Sequence, residues 1–191
     1  YYNRISDKII AYPKGQQFRW TMLNLGLVKI NGLDVNAQLH FVLPKNFYLT
    51  AKAQYTYQTA IDVTDPSDTY YGHQIPYIPW HSGSAVGILG WQNDWMQYGL
   101  NYSFIYVGER YNQQENILFN YTQPWYTHDL SVYGEWDIYK VKGERLEVKG
   151  KKLFTLRVAL DVNNLLSQDY DVILNYPMPK RNYKCTISIT Y

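Results

Sequence analysis

The sequence has little cysteine, no long apolar run and no large excess of either charge, and each shortage excludes a class of protein. One cysteine, Cys185, among 191 residues rules out an internal disulfide and leaves no basis for a thiolate zinc site. The 18 Lys and Arg residues nearly balance the 16 Asp and Glu residues, so no nucleic-acid partner is expected. No segment approaches the roughly 20 apolar residues that a membrane-spanning helix needs.

Aromatic residues, by contrast, are abundant: the chain has 21 Tyr, 6 Trp and 6 Phe. Tyr and Trp have an apolar body and a polar tip, so they favour boundaries between apolar and aqueous surroundings. A transmembrane β-barrel gathers them at both membrane interfaces, and its polar interior keeps the mean hydropathy low, here −0.41. A soluble, Tyr-rich β-sandwich that binds sugars has the same composition, so composition leaves both folds open.

Apolar and polar residues alternate along most of the chain, which predicts β-strands rather than helices. The last ten positions show the pattern most clearly, because every second residue is apolar or aromatic: Tyr183, Cys185, Ile187, Ile189 and Tyr191. Residues 81–91 are Gly-rich, and the pattern does not separate the two faces of that strand. We predict an all-β antiparallel meander of about eight transmembrane strands.

Two irregularities interrupt the alternation near the start of the chain. Val28 is out of phase with Leu33, and a one-residue slip of this kind predicts a β-bulge near Asn31 and Gly32. Residues 1–12 show no clean alternation, and we interpret them as the outer end of a strand whose body lies upstream.

The connections between the predicted strands alternate between short and long. Turns are predicted at residues 44–46 and 92–94, a charged hairpin at 139–152, and long segments at about 62–80, 108–124 and 163–181. A meander through the outer membrane has short periplasmic turns and longer external loops. This order of connections places the C-terminus on the periplasmic side.

Aromatic residues flank the apolar faces at both ends of the predicted strands. At the short-turn ends they are Phe47, Trp91, Trp95, Trp136 and Tyr191, and at the long-loop ends Tyr57, Tyr106, Trp125 and Tyr126. Two such girdles are typical of a membrane barrel and favour it over a soluble sandwich.

The C-terminal stretch "DVNNLLSQDYDVILNYPMPKRNYKCTISITY", Asp161 to Tyr191, resembles the C-terminus of TonB-dependent outer-membrane receptors. The matching residues are Asn163, Asn164, Leu165, Tyr170 and the run 176–181. "IPYIPWHSGSA", "YSFIYVGERY" and the pair "YYNRISDKI" and "FRWTMLNLGLVKINGLDVN" are similar to earlier strands, so the resemblance covers nearly the whole chain. Lys180 stands where the family usually has Gly, which puts the local turn in doubt.

The resemblance implies that residues 1–191 are one partial domain, the C-terminal strands of a 22-stranded barrel, with the plug domain absent from this chain. It implies a multi-pass protein of the Gram-negative outer membrane that imports a bulky, scarce nutrient: a siderophore, haem, cobalamin or a glycan. The implied partners are outer-membrane lipid, the plug and upstream strands of the same receptor, TonB through the missing N-terminal part, and the outer-membrane assembly machinery. That machinery would read the last strand, with Tyr183, Ile187, Ile189 and Tyr191.

The long segments carry the candidate site residues. By resemblance they contact substrate on the outside, and the candidates are Tyr70, Tyr71, His73, Tyr111, Gln113, Gln114, Tyr121 and Trp125. The same residues could simply cap the barrel, and both interpretations stay open.

No catalysis, cofactor or metal is expected. The four histidines, at positions 40, 73, 81 and 128, show no ligand spacing. Asp129, Glu135 and Asp137 share one face, but we interpret them as ordinary carboxylates of a barrel lumen. Two alternatives remain open: a self-standing eight-stranded barrel, acting as an anchor or a lipid-modifying enzyme, and the soluble sugar-binding sandwich.

Overall fold

The computed structural model describes residues 1–14, 19–139 and 152–191, and this part of the chain is almost entirely β. The strands are β1 (Tyr2–Lys14), β2 (Arg19–Leu43), β3 (Phe47–Asp62), β4 (His81–Gln92), β5 (Met96–Val107), β6 (Arg110–Tyr111), β7 (Tyr121–Thr122), β8 (Trp125–Tyr139), β9 (Lys152–Asn163), β10 (Asp171–Ile173), β11 (Tyr176–Pro177) and β12 (Asn182–Thr190). One 3-10 turn, Leu118–Asn120, lies between β6 and β7. No helix in the described ranges is long and apolar enough to cross a membrane. The predicted charged hairpin lies largely outside the described residues.

Eight of the strands form one sheet in the order β1-β2-β3-β4-β5-β8-β9-β12. Every neighbouring pair is antiparallel and every neighbour follows in the chain, apart from short ribbons of β6 with β7 and β10 with β11 in the connections. This confirms the predicted antiparallel meander. The short turns and the three long connections also fall where the sequence predicts them.

One face of this sheet is apolar and exposed. Residues directly opposite one another on neighbouring strands share a face, and such pairs include Leu33 with Tyr57 and Val132 with Leu160. Leu33 is 58 % exposed and Leu160 is 57 % exposed. A sandwich would bury these side chains against a second sheet, but the described residues contain none that could cover eight strands. The sandwich hypothesis is therefore wrong, and an exposed apolar face of this kind is the arrangement expected of a barrel wall that faces lipid.

The opposite, inward face is polar. Arg157 lies between the outward-facing Leu156 and Val158, and its guanidinium carbon is 4.4 Å from the centroid of the Tyr133 ring. The same guanidinium is 3.7 Å from a carboxylate oxygen of Glu135. The alternation predicted from the sequence thus sorts apolar and charged side chains onto opposite faces.

Strand pairing assigns the faces of the Gly-rich strand β4. Ala85 pairs with Ala53 and Leu89 with Leu49, so the odd-numbered residues of β4 face outward with them. Gly90 faces inward, and a Cβ added there would overlap the ring of Tyr48. Gly99 on β5 is in the same position under Tyr133. The rings of Tyr48 and Tyr133 therefore lie directly over the backbone of these two glycines. Gln97 Nε2 donates to both tyrosine hydroxyls, at 2.9 and 3.1 Å.

The bulge predicted at Asn31 and Gly32 is wrong. Pairing of β2 with β3 runs without a register shift from Val28 opposite Asp62 to Leu43 opposite Phe47. Val28 is out of phase because it faces inward, where it is fully buried with Ile75 from the connection after β3. An apolar side chain can face inward at Val28, because the connection after β3 covers it and excludes water. The change of phase lies nearer Gly26, because Leu25 belongs to the same buried cluster.

The sheet does not close on itself. β1 and β12 are its two edges, and no pair joins them in the described residues. β1 pairs with residues 19–31 of β2, and Tyr1 exchanges two backbone hydrogen bonds with Gly32. In the described residues, positions 33–43 therefore have β3 as their single neighbour. An eight-stranded self-standing barrel would pair its first and last strands, so this alternative does not fit the structure.

Seven of the nine aromatic residues predicted for the girdles have the outward parity near the ends of the strands. At the short-turn end, the rings of Trp91 and Trp136 each lie 5.8 Å from that of Tyr98. Trp136 Nε1 also donates to the Tyr98 hydroxyl at 3.0 Å. Trp95 and Trp125 were expected in the girdles, but they lie elsewhere: Trp95 contacts Tyr139 and Trp125 stacks on Tyr170. Trp125 has the inward parity of β8, and Trp95 lies in the turn before β5, which the sequence pattern at strand ends did not resolve.

Replacing Gly99 with Ala should destabilise the folded barrel by about 1–3 kcal/mol, because the new Cβ overpacks the Tyr133 ring. The measurement is the urea midpoint of the full-length receptor folded into lipid vesicles. Gly87→Ala is the matched control, since a Cβ at Gly87 meets nothing within 4 Å. Equal midpoints for the two variants would contradict the packing described for Gly99.

Candidate substrate-contacting loops

Three long connections lie at the same end of the sheet, and we call them together the loop cap. The first loop is residues 63–80 between β3 and β4, the second is 108–124 between β5 and β8, and the third is 164–181 between β9 and β12. All eight predicted substrate contacts belong to the first two loops or to the first residue of β8.

The first and second loops are joined by backbone-like hydrogen bonds. The Asn116 side chain accepts from the Gln74 amide at 2.7 Å and donates to the Gln74 carbonyl at 3.0 Å. His73 Nδ1 lies 3.2 Å from the Gln114 carbonyl, and the Tyr77 amide donates to the Tyr111 carbonyl at 2.7 Å. Because one side-chain amide satisfies both backbone groups of Gln74, the two loops are held in a fixed register.

Gln74 also fixes the first loop to the sheet. Its side chain is 2 % exposed, accepts from the Ala60 amide at 2.8 Å and donates to the Ile78 carbonyl at 3.3 Å. The next residue, Ile75, packs against Leu25 and Ala60. The first loop therefore folds over the inward face of β2 and β3 and forms the main buried apolar cluster of the described residues.

Arg110 ties the second loop to the third. Its side chain is 2 % exposed, and Nη2 donates to the carbonyls of Asp171 and Val172 at 2.8 and 3.1 Å. Nη1 donates to the Gln123 carbonyl at 3.4 Å. Burial lowers the pKa of Arg110, while the nearby Tyr77 and Asp171 oppose that shift. The guanidinium stays charged, so a buried cation is held chiefly by backbone carbonyls.

Sequence reasoning missed Arg110. The sequence around a single Arg in a loop does not show whether its side chain is buried against backbone carbonyls or exposed to solvent. The available signal was its place inside the quoted stretch "YSFIYVGERY", where it follows a Gly and an acidic residue.

The third loop begins with the Asn residues of the C-terminal motif. Asn164 has φ +50°, and its amide donates to an Asp129 carboxylate oxygen at 2.7 Å. Its side chain exchanges two hydrogen bonds of 2.9 Å with the backbone of Gln168. Asp129 therefore holds the start of a loop. Lys180, where a Gly was expected, does not have positive φ, so its side chain is compatible with the turn.

The predicted contact residues do not form one site. Tyr70 and His73 meet the second loop near Glu115 and Gln114, whereas the Tyr111 ring lies 6.2 Å from that of Tyr121. Trp125 stacks on Tyr170 of the third loop at 4.5 Å, and Gln113 is half-buried. Most of them hold the cap together. Tyr71, at 44 % exposure, is the one most available to a ligand.

A cleft of about 400 Å³ opens between the second and third loops. Its lining includes Tyr121, Gln123, Trp125, Gln168, Asp169 and Asp171. Trp125 Nε1 is buried and has no hydrogen-bond partner among the described residues. Aromatic faces, amides and carboxylates of this kind suit a polar organic ligand with hydrogen-bonding groups.

Three tyrosines of the cap, Tyr77, Tyr121 and Tyr170, have raised pKa values and remain neutral at physiological pH. Burial raises the pKa of Tyr77 and of Tyr170 above the ordinary phenol value. The pKa of Tyr121 is also raised, by its local burial and by its hydrogen bond to Glu109, which is 3.1 Å long. Carboxylates rather than phenolates therefore carry the negative charge of the cap.

Glu135 and Asp137, which the sequence placed on one face with Asp129, each have their own basic partner. Asp137 pairs with Lys152 at 2.6 Å and accepts from Thr155 at 2.7 Å, while Glu135 faces Arg157. In the part of the chain that the structure describes, no group of three or more His, Cys, Asp or Glu residues could hold a metal ion.

Comparison with known proteins adds the family to this geometry. The family model "TonB dependent receptor-like, beta-barrel" matches residues 1–165. Among solved structures, the chain is similar to BauA, the ferric preacinetobactin receptor of Acinetobacter baumannii, with 11 % identity and a TM-score of 0.58. That match covers all of this chain and 33 % of BauA, so the chain spans about a third of that receptor's length. No curated protein matches the sequence.

The family match extends over most of the chain and agrees with the antiparallel meander, the exposed apolar face and the three-loop cap. The structural likeness, at its low identity, supports the fold alone. The chain therefore belongs to the TonB-dependent receptor family and forms part of the β-barrel that this family places in the outer membrane of Gram-negative bacteria.

Proposed function

We propose that this chain supplies C-terminal barrel wall and external loops to a receptor that imports a bulky, scarce nutrient across the outer membrane. The observation that carries the proposal is the pairing of an exposed apolar face with a polar inward face under a docked loop cap. The rest of the receptor would complete the barrel and supply the plug, and TonB would deliver energy through the N-terminal part. The barrel wall itself would carry out no catalysis.

The nutrient belongs to a class that needs a wide passage: a ferric siderophore, haem, cobalamin or a glycan. A siderophore is the first candidate to test, because the fold neighbour is a ferric preacinetobactin receptor. Because that likeness supports only the fold, the choice among these classes rests on direct measurement. Growth on each nutrient as the sole iron, cobalamin or carbon source, with and without the receptor gene, makes the assignment.

The long loops would face the outside of the cell and contact the nutrient there. Tyr71 presents an exposed ring on the first loop, and the cleft beside Trp125 lies between the other two loops. The remaining predicted contacts, Tyr70, His73, Tyr111, Gln113 and Tyr121, would act mainly by fixing the positions of these surfaces. With the loops outside, the C-terminus is periplasmic.

Tyr71→Ala should weaken whole-cell binding of the nutrient that the growth panel selects about tenfold, because an exposed aromatic anchor is lost. Tyr57→Ala is the control, since Tyr57 is a similarly exposed tyrosine on the lipid-facing side of the same end. Radiolabelled uptake and binding are measured after folded receptor has been quantified by heat-modifiable migration. If both variants bind as the unaltered receptor does, Tyr71 is not a nutrient contact.

Arg110→Lys should loosen the loop cap without affecting insertion of the barrel. Lys cannot donate to three carbonyls from a planar fork, and each lost bond to a charged group costs about 1.5–3 kcal/mol. Limited proteolysis of intact cells should cut the third loop faster in this variant. Arg181→Lys, which alters one exposed bond to Leu165, should be cut at the unaltered rate. Full protection of Arg110→Lys would show that this tie is dispensable.

The last strand would serve both barrel closure and recognition by the assembly machinery. Tyr183, Ile187, Ile189 and Tyr191 lie on the lipid side, with exposures of 73, 68, 53 and 96 %. The Tyr191 ring is 6.2 Å from that of Phe154 at the short-turn end.

Ile189→Lys should reduce assembled receptor most, since a charge on the lipid face costs up to about 2–4 kcal/mol near the midplane and less toward the interface. Tyr191→Ala should reduce it less, through the lost interfacial anchor. Thr190→Ala should be nearly silent, because Thr190 lies on the opposite face. Heat-modifiable migration in outer-membrane fractions gives the amounts. If Ile189→Lys and Tyr191→Ala both assemble at the unaltered level, the last strand is not the lipid-facing element that the assembly machinery recognises.

A further inference from the structure

The loop cap carries an excess of negative charge, although the chain as a whole is close to neutral. Its three loops, all of which the structure describes, contain six acidic and three basic residues, whereas the whole chain has 16 acidic and 18 basic ones. The acidic residues of the cap are Asp65, Asp68, Glu109, Glu115, Asp169 and Asp171. Charge is therefore distributed unevenly, with the acidic part at the loop end of the sheet.

The three basic residues of the cap are each engaged by a partner. Arg110 is 2 % exposed, and its guanidinium donates to three backbone carbonyls. Arg181 Nε donates to the Leu165 carbonyl at 2.9 Å, and Lys180 Nζ lies 3.0 Å from a carboxylate oxygen of Asp169. Because the pair of Lys180 and Asp169 is exposed, it contributes little free energy, and a ligand cation can take the place of Lys180.

Two other carboxylates of the cap have neutral hydrogen-bond donors. Glu109 accepts from the Tyr121 hydroxyl at 3.1 Å, and Asp171 accepts from the Asn175 amide at 3.0 Å. Arg110 donates to the backbone carbonyl of Asp171 rather than to its carboxylate. A neutral donor stabilises the charged form of a carboxylate without cancelling its charge. The negative charge of these two side chains therefore acts on whatever approaches the second and third loops.

The cleft of about 400 Å³ between the second and third loops combines this charge with aromatic rings. Tyr121, Trp125 and Tyr170 line it together with Asp169 and Asp171, and no basic residue of the fully described cap is among its lining residues. The face of an aromatic ring attracts a cation through its quadrupole, and a neighbouring carboxylate attracts the same cation by its charge. An anion would find neither attraction in this cleft.

Thr122 adds a buried hydroxyl to the same lining. The residue is 8 % exposed, and its Oγ1 has no hydrogen-bond partner among the described residues. A buried polar group without a partner costs free energy, which a hydrogen bond from a ligand N–H group would recover. The lining of the cleft is therefore suited to a ligand that brings both positive charge and hydrogen-bond donors.

We propose that this cleft takes a positively charged nitrogen group of the nutrient, an ammonium or an amidinium, and that the loop cap disfavours nutrients with a net negative charge. The inference rests on the proposed function, because it requires that these loops face the medium and contact the nutrient. Clefts lined by one sign of charge concentrate ligands of the opposite sign and raise their rate of association. The substrate class is thereby narrowed to a nutrient that presents a cationic group on its surface.

The test uses the full-length receptor purified in mild detergent and three probes of one shape: tert-butylammonium, tert-butanol and pivalate. They share a tert-butyl group and are positive, neutral and negative at neutral pH. Saturation-transfer NMR measures their contact with the receptor. Transfer to tert-butylammonium should exceed transfer to tert-butanol at least about fivefold, since ring faces and carboxylates both favour the cation. Pivalate should give no more transfer than it does with micelles that lack receptor.

The double variant Asp169→Asn, Asp171→Asn should lose the preference for ammonium, while Asn at position 171 can still accept from the Asn175 amide. Asp65→Asn, Asp68→Asn is the matched control, because it removes two carboxylates of the first loop, which does not line this cleft, and it should keep the preference. Heat-modifiable migration checks that each variant is folded.

Three results would overturn the cation site: equal transfer to all three probes in the unaltered receptor, an undiminished preference in the cleft variant, or an equal loss of preference in the control. The site and the proposed function fail separately. A receptor that supports growth on one nutrient of the panel but shows no charge preference refutes only the cation site. A receptor that supports growth on none refutes the proposed function, whatever its preference among the three probes.

Discussion

Hydrogen bonding of the backbone is the constraint on which the rest of this structure depends. Hydrocarbon offers no partner to an N–H or C=O group, so a chain that crosses a membrane as strands must pair every strand with neighbours. The eight-stranded meander does this for its inner strands, apart from residues 33–43 of β2, while β1 and β12 are the edges of the described sheet. Once the strands are paired, their side chains alternate between two solvents. That alternation separates Leu156 and Val158, which face lipid, from Arg157, which faces the interior.

The loop cap meets the same constraint outside the membrane by different means. Its segments pair only in two short ribbons, β6 with β7 and β10 with β11, so side chains supply further hydrogen-bond partners for the loop backbone. The Asn116 side chain hydrogen-bonds to both backbone groups of Gln74, and the Asn164 side chain does the same for Gln168. Arg110 donates to three backbone carbonyls from two loops. These side-chain bonds fix the loops without a large apolar core, and they leave residues such as Tyr71 and the tip at Leu118 and Phe119 exposed.

Period-two alternation made the strands and their connections predictable, because a two-faced environment imposes that period on the sequence directly. It failed where the environment of a face changes along the strand. Val28 is apolar and faces inward under the first loop, so its change of phase resembled a bulge. Trp125 resembled a girdle residue, yet it turns inward onto Tyr170. The cap was predictable as loops but not as a docked unit, since Arg110 and Asn116 act through distant backbone groups that no local pattern reveals.

The same physics explains how the fold persists at 11 % identity to a solved receptor. Lipid on one side and a polar interior on the other specify the class of residue at each position and leave its identity free. Specific residues are required only where geometry is tight, as at Gly90 and Gly99 beneath the rings of Tyr48 and Tyr133. They are also required where a buried polar group has one arrangement of partners, as at Arg110 and Gln74. Identity should therefore survive longest at these few glycines and ties, while the lipid face and the loop surface diverge with membrane composition and nutrient.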